Sequence, residues 1–256
     1  MSGHSKWATI KRKKGATDAA RGKVFTKLIK EITVAARMGG GDPSGNARLR
    51  KAIDDAKSAH MPGDNITRAL KRGTGEIEGV AFEDVLYEGT GPSGTLFLVE
   101  GATDNRNRSA AELRKIFEKH NGTMGGSGAA AWAFDHKGVI VLEKAAANED
   151  QLMELAVGAG ADDYVDDGEQ WTIYTPSDAL DKVTSELAKG SIAVKSSDLA
   201  YIPKTKKEVR ERDAEVCLNL VDALDDHDDV QHVYADFDVP EDELARISGA
   251  PLSVRP

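Results

Sequence analysis

Apolar residues recur at helical spacing in the first third of the chain. From Val24 to Ala36 they stand three or four positions apart, which is the period of one face of an amphipathic helix. Two shorter stretches of the same kind follow. Each of the three predicted helices opens with an aspartate that can cap it: Asp18, Asp42 and Asp64. Glycines interrupt the pattern between them, so we predict a small bundle of three helices joined by short links.

The apolar spacing then changes to the alternation that is typical of β-strands. Val85–Glu88 and Thr95–Val99 flank the turn sequence Gly91-Pro92-Ser93-Gly94, which predicts a β-hairpin. A helix is predicted to follow from Ser109, whose side chain would form a capping box with Glu112. These residues therefore indicate a ββα unit.

A second series of strands and helices occupies residues 136–203. Its pattern is βαββαβ, which is typical of a ferredoxin-like domain. The strands are predicted near Val139–Leu142, Asp163–Val165, Thr172–Tyr174 and Leu199–Ile202, with helices near 148–158 and 177–189. After it come a helix that contains Cys217 and a strand near Val230–Ala235, and these can complete the sheet of the ββα unit.

We therefore predict an α+β multidomain protein with an N-terminal three-helix bundle and two α/β domains, one of them ferredoxin-like and inserted into the other. The predicted parts are a flexible basic arm at 1–17, the bundle at 18–80, a discontinuous α/β domain at 81–135 plus 204–240, the ferredoxin-like domain at 136–203 and a C-terminal tail at 241–256. The sequence does not indicate an oligomeric state.

Charge is distributed unevenly along the chain. Residues 1–75 contain 17 lysines and arginines against 6 acidic residues, whereas the rest of the chain contains 17 against 37. Such segregation favours a polyanion-binding segment attached to an acidic body, and nucleic acid is the partner that it indicates. The alternative is that the basic residues only coat a helical surface.

The first residues hold the densest group of bases. The candidate nucleic-acid contacts there are Lys6, Trp7, Lys11, Arg12, Lys13 and Lys14. The bases can displace counterions from a phosphate backbone, and the tryptophan suits stacking on an unpaired base. Alternatively, Trp7 docks back on the bundle.

Further candidate contacts lie in the predicted bundle and next to the fourth helix. In the bundle they are Arg48, Arg50, Arg68, Lys71 and Arg72. The last three fall on one face of the third helix. Arg106 and Arg108 stand just before the helix predicted from Ser109, beside the positive end of its dipole. Two cations there indicate a negative partner, which is either a bound phosphate or an acid of the chain such as Asp104.

No group of residues indicates an enzyme. The sequence lacks the phosphate-binding loop of nucleotide hydrolases, the serine nucleophile elbow and the zinc-protease helix motif. The spacing of His227 and His232 fits neither a helix face nor alternate strand positions, so we expect no metal site. Cys217 falls on the apolar face of its helix and is predicted to be packed rather than nucleophilic. We expect no catalytic residue, no cofactor and no small-molecule substrate.

Two other polar segments have a structural and a functional interpretation. The acid-rich stretch 225–229 is interpreted as a solvated loop, with a bound divalent ion as the alternative. The glycine-rich run 122–128 follows a helix instead of preceding one, which favours a hinge or an inter-domain strand over a phosphate cradle.

The location of the protein is indicated by what the sequence lacks. No stretch approaches the roughly 18 apolar residues of a membrane span, and the basic N-terminus has no apolar segment of a secretory signal. A single cysteine fits a reducing compartment. We expect a cytoplasmic protein that does not bind membranes.

Several of these residues belong to longer motifs. The motifs are Gly3-His4-Ser5-Lys6-Trp7 before Lys11-Arg12-Lys13-Lys14, Gly39-Gly40-Gly41-Asp42-Pro43 before Asn46-Ala47-Arg48-Leu49-Arg50, Met61-Pro62-Gly63-Asp64-Asn65-Ile66, Tyr87-Glu88-Gly89, and Thr103-Asp104-Asn105-Arg106-Asn107-Arg108. In this order they resemble the YebC/PmpR family of probable transcriptional regulatory proteins. The resemblance spans nearly the whole chain, although the C-terminal half matches mainly in pattern.

This resemblance implies a helical bundle and two α/β domains without a cofactor. It also implies a cytoplasmic, DNA-binding regulator of transcription. A mitochondrial branch of the family is instead described as translational activators, and bacterial relatives are linked to the relief of ribosome stalling.

Three functions therefore stay open. The first is a DNA-binding transcriptional regulator, since the second and third helices loosely resemble a helix-turn-helix. The second is an RNA-binding or ribosome-binding translation factor, which the lysine-rich arm and Trp7 favour. The third is a protein-interaction adaptor that uses the acidic ferredoxin-like domain.

Overall fold

The computed structural model describes residues 18–248. Its helices are α1 (Asp18–Gly39), α2 (Ala47–Ser58), α3 (Gly63–Gly73), α4 (Arg106–Lys119), α5 (Glu149–Leu152, continued by a π-helical turn at Met153–Val157), α6 (Leu180–Lys189), α7 (Glu211–Asp225) and α8 (Glu241–Ser248). Its strands are β1 (Glu83–Thr90), β2 (Leu96–Thr103), β3 (Thr123–Met124), β4 (Phe134–Glu143), β5 (Asp163–Asp166), β6 (Gln170–Pro176), β7 (Ser196–Pro203), β8 (Lys207–Glu208), β9 (Val230–Ala235) and β10 (Phe237–Asp238). The predicted arm at 1–17 lies outside the described residues.

The chain folds into two compact units. One, here called the inserted unit, is Trp132–Thr205; the other, the flanking unit, is formed by the described residues on both sides of it. The prediction of an α+β protein in which one α/β domain is inserted into another is therefore confirmed. The finer division of the flanking unit, with a separate bundle at 18–80, stays a prediction.

The inserted unit has the predicted ferredoxin-like topology. Its strands are all antiparallel in the order β5-β6-β4-β7, as two split βαβ units require. Helices α5 and α6 pack on the sheet around Ile140, Ile173, Leu152 and Val183, all of them fully buried. Inward-facing residues alternate with outward-facing ones along β4, which is the pattern that predicted this strand.

The flanking unit has one antiparallel sheet and the helical bundle. The strand order is β3-β1-β2-β9, so the predicted hairpin β1–β2 lies in the middle and the C-terminal strand β9 completes the sheet. The core of this unit contains the buried rings of Phe97, Phe117 and Phe237, and the Phe97 ring contacts each of the other two with centroids 5.9 Å apart. Glu241–Ser248, in the segment predicted as a tail, is a helix that adds Leu244 to this core.

Helices α2 and α3 both begin differently from the prediction. Helix α2 starts at Ala47 with Asn46 as its N-cap, because Asp42 instead binds the backbone and hydroxyl of Ser44 and closes a turn. Helix α3 starts at Gly63, so Asp64 lies inside its first turn and not at its cap. A carboxylate there still complements the helix dipole.

Helix α4 also begins earlier than predicted. It starts at Arg106, with Asn105 as its N-cap accepting a hydrogen bond from the amide of Arg108. The prediction that Ser109 caps this helix was therefore wrong. Ser109 is buried inside the first turn, where its hydroxyl serves another contact described below.

Candidate nucleic-acid interface

One face of α3 carries three exposed cations that have no acidic partner in the structure. Arg68, Lys71 and Arg72 stand at positions i, i+3 and i+4, and all three are exposed. None of them makes an ion pair within residues 18–248. The nearest acids in sequence are Asp64 and Glu76, and neither forms an ion pair with these three cations. Two of these cations lie in the last turn, where they also complement the helix dipole.

The other candidates in the bundle bind groups of the chain itself. The Arg48 guanidinium forms two forks, to Glu31 at 2.6 and 2.9 Å and to Asp84 at 2.6 and 2.9 Å. It thereby links α2 to α1 and to β1. Arg50 donates from Nη1 to the carbonyl of Pro43 at 2.9 Å. Arg48 is therefore committed to internal carboxylates, which leaves it poorly placed to bind phosphate.

Arg106 and Arg108 also meet acids of the chain. Arg106 Nε lies 3.0 Å from Glu83 Oε1. Arg108 Nη2 lies 2.6 Å from Asp104 Oδ1 and 3.0 Å from Asp229 Oδ2. Of the two partners considered for these arginines, the geometry supports the internal carboxylates, because the cations of the first turn are already neutralised there.

Asp229 is the centre of a buried polar cluster in the flanking unit. Its carboxylate accepts hydrogen bonds from Ser109 at 2.6 Å, from Thr103 and Arg108 at 3.0 Å each, and from the Lys30 ammonium. Asp229 and Lys30 are both buried. Burial alone would raise the pKa of Asp229, but the hydrogen bonds from Lys30, Ser109 and Arg108 outweigh it and hold this pKa well below its usual range. The cluster ties α1 to β2 and α4.

The acid-rich stretch 225–229 docks against basic residues of α1. Lys23 and Lys27 pair with Asp226 and Asp225 at 3.5 and 3.2 Å and also donate to carbonyls at the end of α7. Cations are favourable at that end of a helix. The interpretation of this stretch as a solvated loop was therefore incomplete: its acids neutralise a row of α1 lysines that is about 200 positions away in sequence.

The end of the glycine-rich run and the residues that follow it bind a carboxylate of the chain itself. Glu88 is buried on β1, and its two oxygens accept from the backbone amides of Gly128 at 2.7 Å, Ala130 at 2.6 Å and Ala131 at 2.7 Å. Burial raises the pKa of Glu88, but these three amides more than offset it, so the pKa is lowered. Of these three amides only that of Gly128 belongs to the run 122–128, and Glu88 occupies it. The run's Thr123–Met124 segment forms strand β3, so the phosphate-cradle interpretation is not supported.

The remaining reactive side chains have structural partners. His227 Nε2 lies 2.9 Å from Glu112, and its Nδ1 accepts from the amide of Asp229. Cys217 is fully buried, and burial raises the pKa of its thiol to about 11. Among residues 18–248, no three histidine, cysteine or acidic side chains are arranged to hold a metal ion.

No helix within the described residues has the length and apolar composition that a membrane span requires.

The candidate residues thus fall into three groups. Arg48, Arg106 and Arg108 are held by carboxylates, and Arg50 by a carbonyl. The exposed α3 face keeps its charge available for an external anion. The candidates from Lys6 to Lys14 lie outside the described residues.

Two family descriptions match this chain over most of its length. Residues 5–76 match the TACO1/YebC protein N-terminal domain, and residues 82–237 match the TACO1/YebC second and third domain. The boundary between the two matches falls between α3 and β1 of the structure.

Similar proteins cover the chain almost completely. The "Probable transcriptional regulatory protein GSU1074" of Geobacter sulfurreducens is 53% identical over 96% of this chain and 100% of its own length. "Probable transcriptional regulatory protein DP2908" of Desulfotalea psychrophila is 51% identical over 97% of this chain and 100% of its own. The crystal structure of a conserved hypothetical protein, Aq1575 from Aquifex aeolicus, superposes with a TM-score of 0.79 at 42% identity and covers 88% of this chain and 93% of that one.

Proposed function

Because this chain belongs to the TACO1/YebC family, whose relatives above are named probable transcriptional regulatory proteins, we propose that it regulates transcription by binding DNA. The observation that carries the proposal is the exposed face of α3, with three cations that lack an acidic partner among the described residues. In this proposal the protein acts in the cytoplasm and needs no cofactor, metal ion or small-molecule substrate. It has no catalytic role.

The geometry of α3 suits contact with the phosphate backbone. Arg68, Lys71 and Arg72 lie on about one and a half turns of one helix, so their charged groups can reach neighbouring phosphates together. Each such contact releases counterions, which makes the affinity depend steeply on salt. Phosphate contacts of this kind set the position of a protein on DNA and carry no sequence information.

The bundle differs from a helix-turn-helix in one respect. Helices α2 and α3 each pack mainly against α1 and touch one another little. The link between them is short because His60 takes a positive φ of 59° before the buried Met61. Because α2 packs so little against α3, we assign α3 to backbone contact and propose that other parts of the protein contribute to site selection.

The acidic remainder of the protein supports the orientation that this proposal needs. The inserted unit contains 14 acidic residues and 6 lysines, and it contains no arginine. Phosphate repels such a surface, so the bundle is the part of the chain that would face DNA. The lysines of the predicted arm at 1–17 would add to the same attraction.

A second candidate function is RNA binding in translation. It is favoured by one sequence feature, the tryptophan at position 7 among lysines, because exposed aromatic rings stack on unpaired bases. Replacing Trp7 with alanine separates the two candidates. An RNA-binding protein should lose more affinity for single-stranded than for duplex targets, and a DNA-binding protein should not.

The DNA-binding proposal is tested by the salt dependence of binding to duplex DNA. We expect the triple variant Arg68→Ala, Lys71→Ala, Arg72→Ala to bind more weakly, and the slope of log K against log salt to flatten by about 2–3, since each lost phosphate contact contributes about 0.9. Fluorescence anisotropy from about 50 to 200 mM salt measures both quantities.

The matched control removes three exposed cations from another helix. Arg114, Lys115 and Lys119 lie on α4, are exposed, and stand beside the acidic Glu112 and Glu118. Their triple alanine variant changes the net charge by the same amount. Equal losses in both variants would show that only the total charge matters, and unchanged binding by the α3 variant would reject the role of this face.

A further inference from the structure

An open pocket of about 570 Å³ lies beside the exposed face of α3, the face that carries Arg68, Lys71 and Arg72. It is bounded by the end of α1, the end of α3 and the segment 74–81 that leads to β1. Gly75 adopts φ +79°, which turns the chain back so that the amides of Glu76 and Ile77 bond to the carbonyl of Lys71. A volume of this size falls within the range of roughly 300–1,000 Å³ that is usual for small-molecule sites.

Three charged side chains that line the pocket have no partner in the described structure. They are Arg37 at the end of α1, Arg72 at the end of α3, and Glu78 in the connecting segment. None of them forms an ion pair with another or with any other residue between positions 18 and 248. The contrast with Arg48, Arg106 and Arg108 is clear, because those arginines are satisfied within the fold. Two unpaired guanidinium groups at one pocket suit a phosphate group.

The same pocket presents an apolar surface to solvent. Ile77 is 36% and Val80 is 53% exposed, and both line the pocket together with Ala81. Aliphatic side chains do not satisfy a phosphate, but they suit the flat face of an aromatic ring. The pocket therefore combines an anion-binding part with an apolar part, which is the combination that a nucleotide requires.

Gly79 helps to place one of the two arginines. A Cβ at this position would lie 3.1 Å from both Cγ and Cδ of Arg72, so the absence of a side chain lets the Arg72 stem lie directly on the 78–80 segment. This contact holds the guanidinium at the pocket instead of leaving it to extend freely into solvent.

We propose that this pocket binds one guanine nucleotide that is flipped out of its pair and its stack in the bound DNA, an inference that rests on the proposed function. The phosphate lies between Arg37 and Arg72, and the base packs on Ile77 and Val80. Guanine presents two adjacent donors, N1–H and the 2-amino group, and the carboxylate of Glu78 can accept both at once. Uracil offers one donor between two carbonyls, which the same carboxylate would repel.

The test is titration of the full-length protein with GMP and with UMP, followed by the amide NMR signals of residues 73–81. We expect GMP to shift these signals and to bind about tenfold more tightly than UMP, as one bidentate base contact provides. Arg37→Ala should weaken both nucleotides by about tenfold or more, because it removes charge-assisted hydrogen bonds to phosphate. Glu78→Gln should abolish the preference for GMP, because it removes both the paired acceptors for guanine and the repulsion of the uracil carbonyls.

Arg114→Ala on α4 is the control for lost charge, and it should bind both nucleotides as the original protein does. Duplex DNA binding is measured on the same samples. If duplex DNA binds but neither nucleotide shifts residues 73–81, or if the preference for GMP survives in Glu78→Gln, the pocket inference is wrong and the proposed function stands. If DNA binding also fails, the proposed function is wrong as well.

Discussion

Replacing Asp229 with asparagine is expected to lower the free energy of unfolding by about 3–5 kcal/mol, because it leaves the buried Lys30 without its counter-ion. The carboxylate also accepts from Ser109, Thr103 and Arg108, so several donors lose their partner at once. Urea unfolding at neutral pH measures the loss. Asp55→Asn is the matched control, since its pair with Lys51 is exposed and should contribute less than about 1 kcal/mol.

The same variant has a signature in its pH dependence. The pKa of Asp229 is lowered in the folded protein, so its contribution to stability is present above the unfolded pKa of about 3.9 and disappears as the pH falls through the lower folded pKa. The difference in stability between the original protein and Asp229→Asn should therefore shrink below about pH 4. A difference that stays constant from pH 7 to pH 3 would contradict the assignment of the charge to Asp229.

Replacing Glu88 with alanine is expected to cost on the order of 3 kcal/mol, since three backbone amides lose a charged acceptor and the amide of Ala130 is buried. Hydrogen exchange should accelerate most at Gly128, Ala130 and Ala131. Glu83→Ala is the control, because its pair with Arg106 is exposed and contributes little.

The outcome at Glu88 also tests its role as an internal anion. Glu88→Gln keeps the shape and one carbonyl acceptor, so we expect a smaller loss than in Glu88→Ala. If exchange at these three amides is unchanged in Glu88→Ala, the carboxylate does not hold the segment 128–131 in solution.

Much of the fold could be predicted because its signals are local. The strands of the inserted unit follow from alternation along a few residues, and the β1–β2 hairpin follows from the turn between them. Helix starts were less predictable. Asn46 caps α2 because its amide also donates to the carbonyls of Ala35 and Gly40, which no aspartate could do. These hydrogen bonds from the Asn46 amide depend on the tertiary structure and leave no pattern in the local sequence.

The candidate site divides in the same way. The face of α3 was predictable from spacing, because positions i, i+3 and i+4 share a helix side and the structure confirms that helix. Of the acids that bind Arg108, Asp104 was predicted from its position next to the arginine, and the ion pair is present. Asp229 was not predicted, nor was Asp84 as the partner of Arg48, since these acids stand 121 and 36 positions away. No sequence pattern predicts the pocket beside α3, because Arg37 and Glu78 lie on separate segments and only the fold brings them together.

Crosslinking in living cells, followed by sequencing of the attached DNA and RNA, is the strongest test of whether the exposed face of α3 binds DNA. We expect the original protein to enrich a limited set of duplex DNA sites. The triple variant at Arg68, Lys71 and Arg72 should lose these sites, whereas the control variant at Arg114, Lys115 and Lys119 should keep them. If the original protein instead enriches RNA while DNA stays at background, DNA binding by this face is contradicted and RNA is the target.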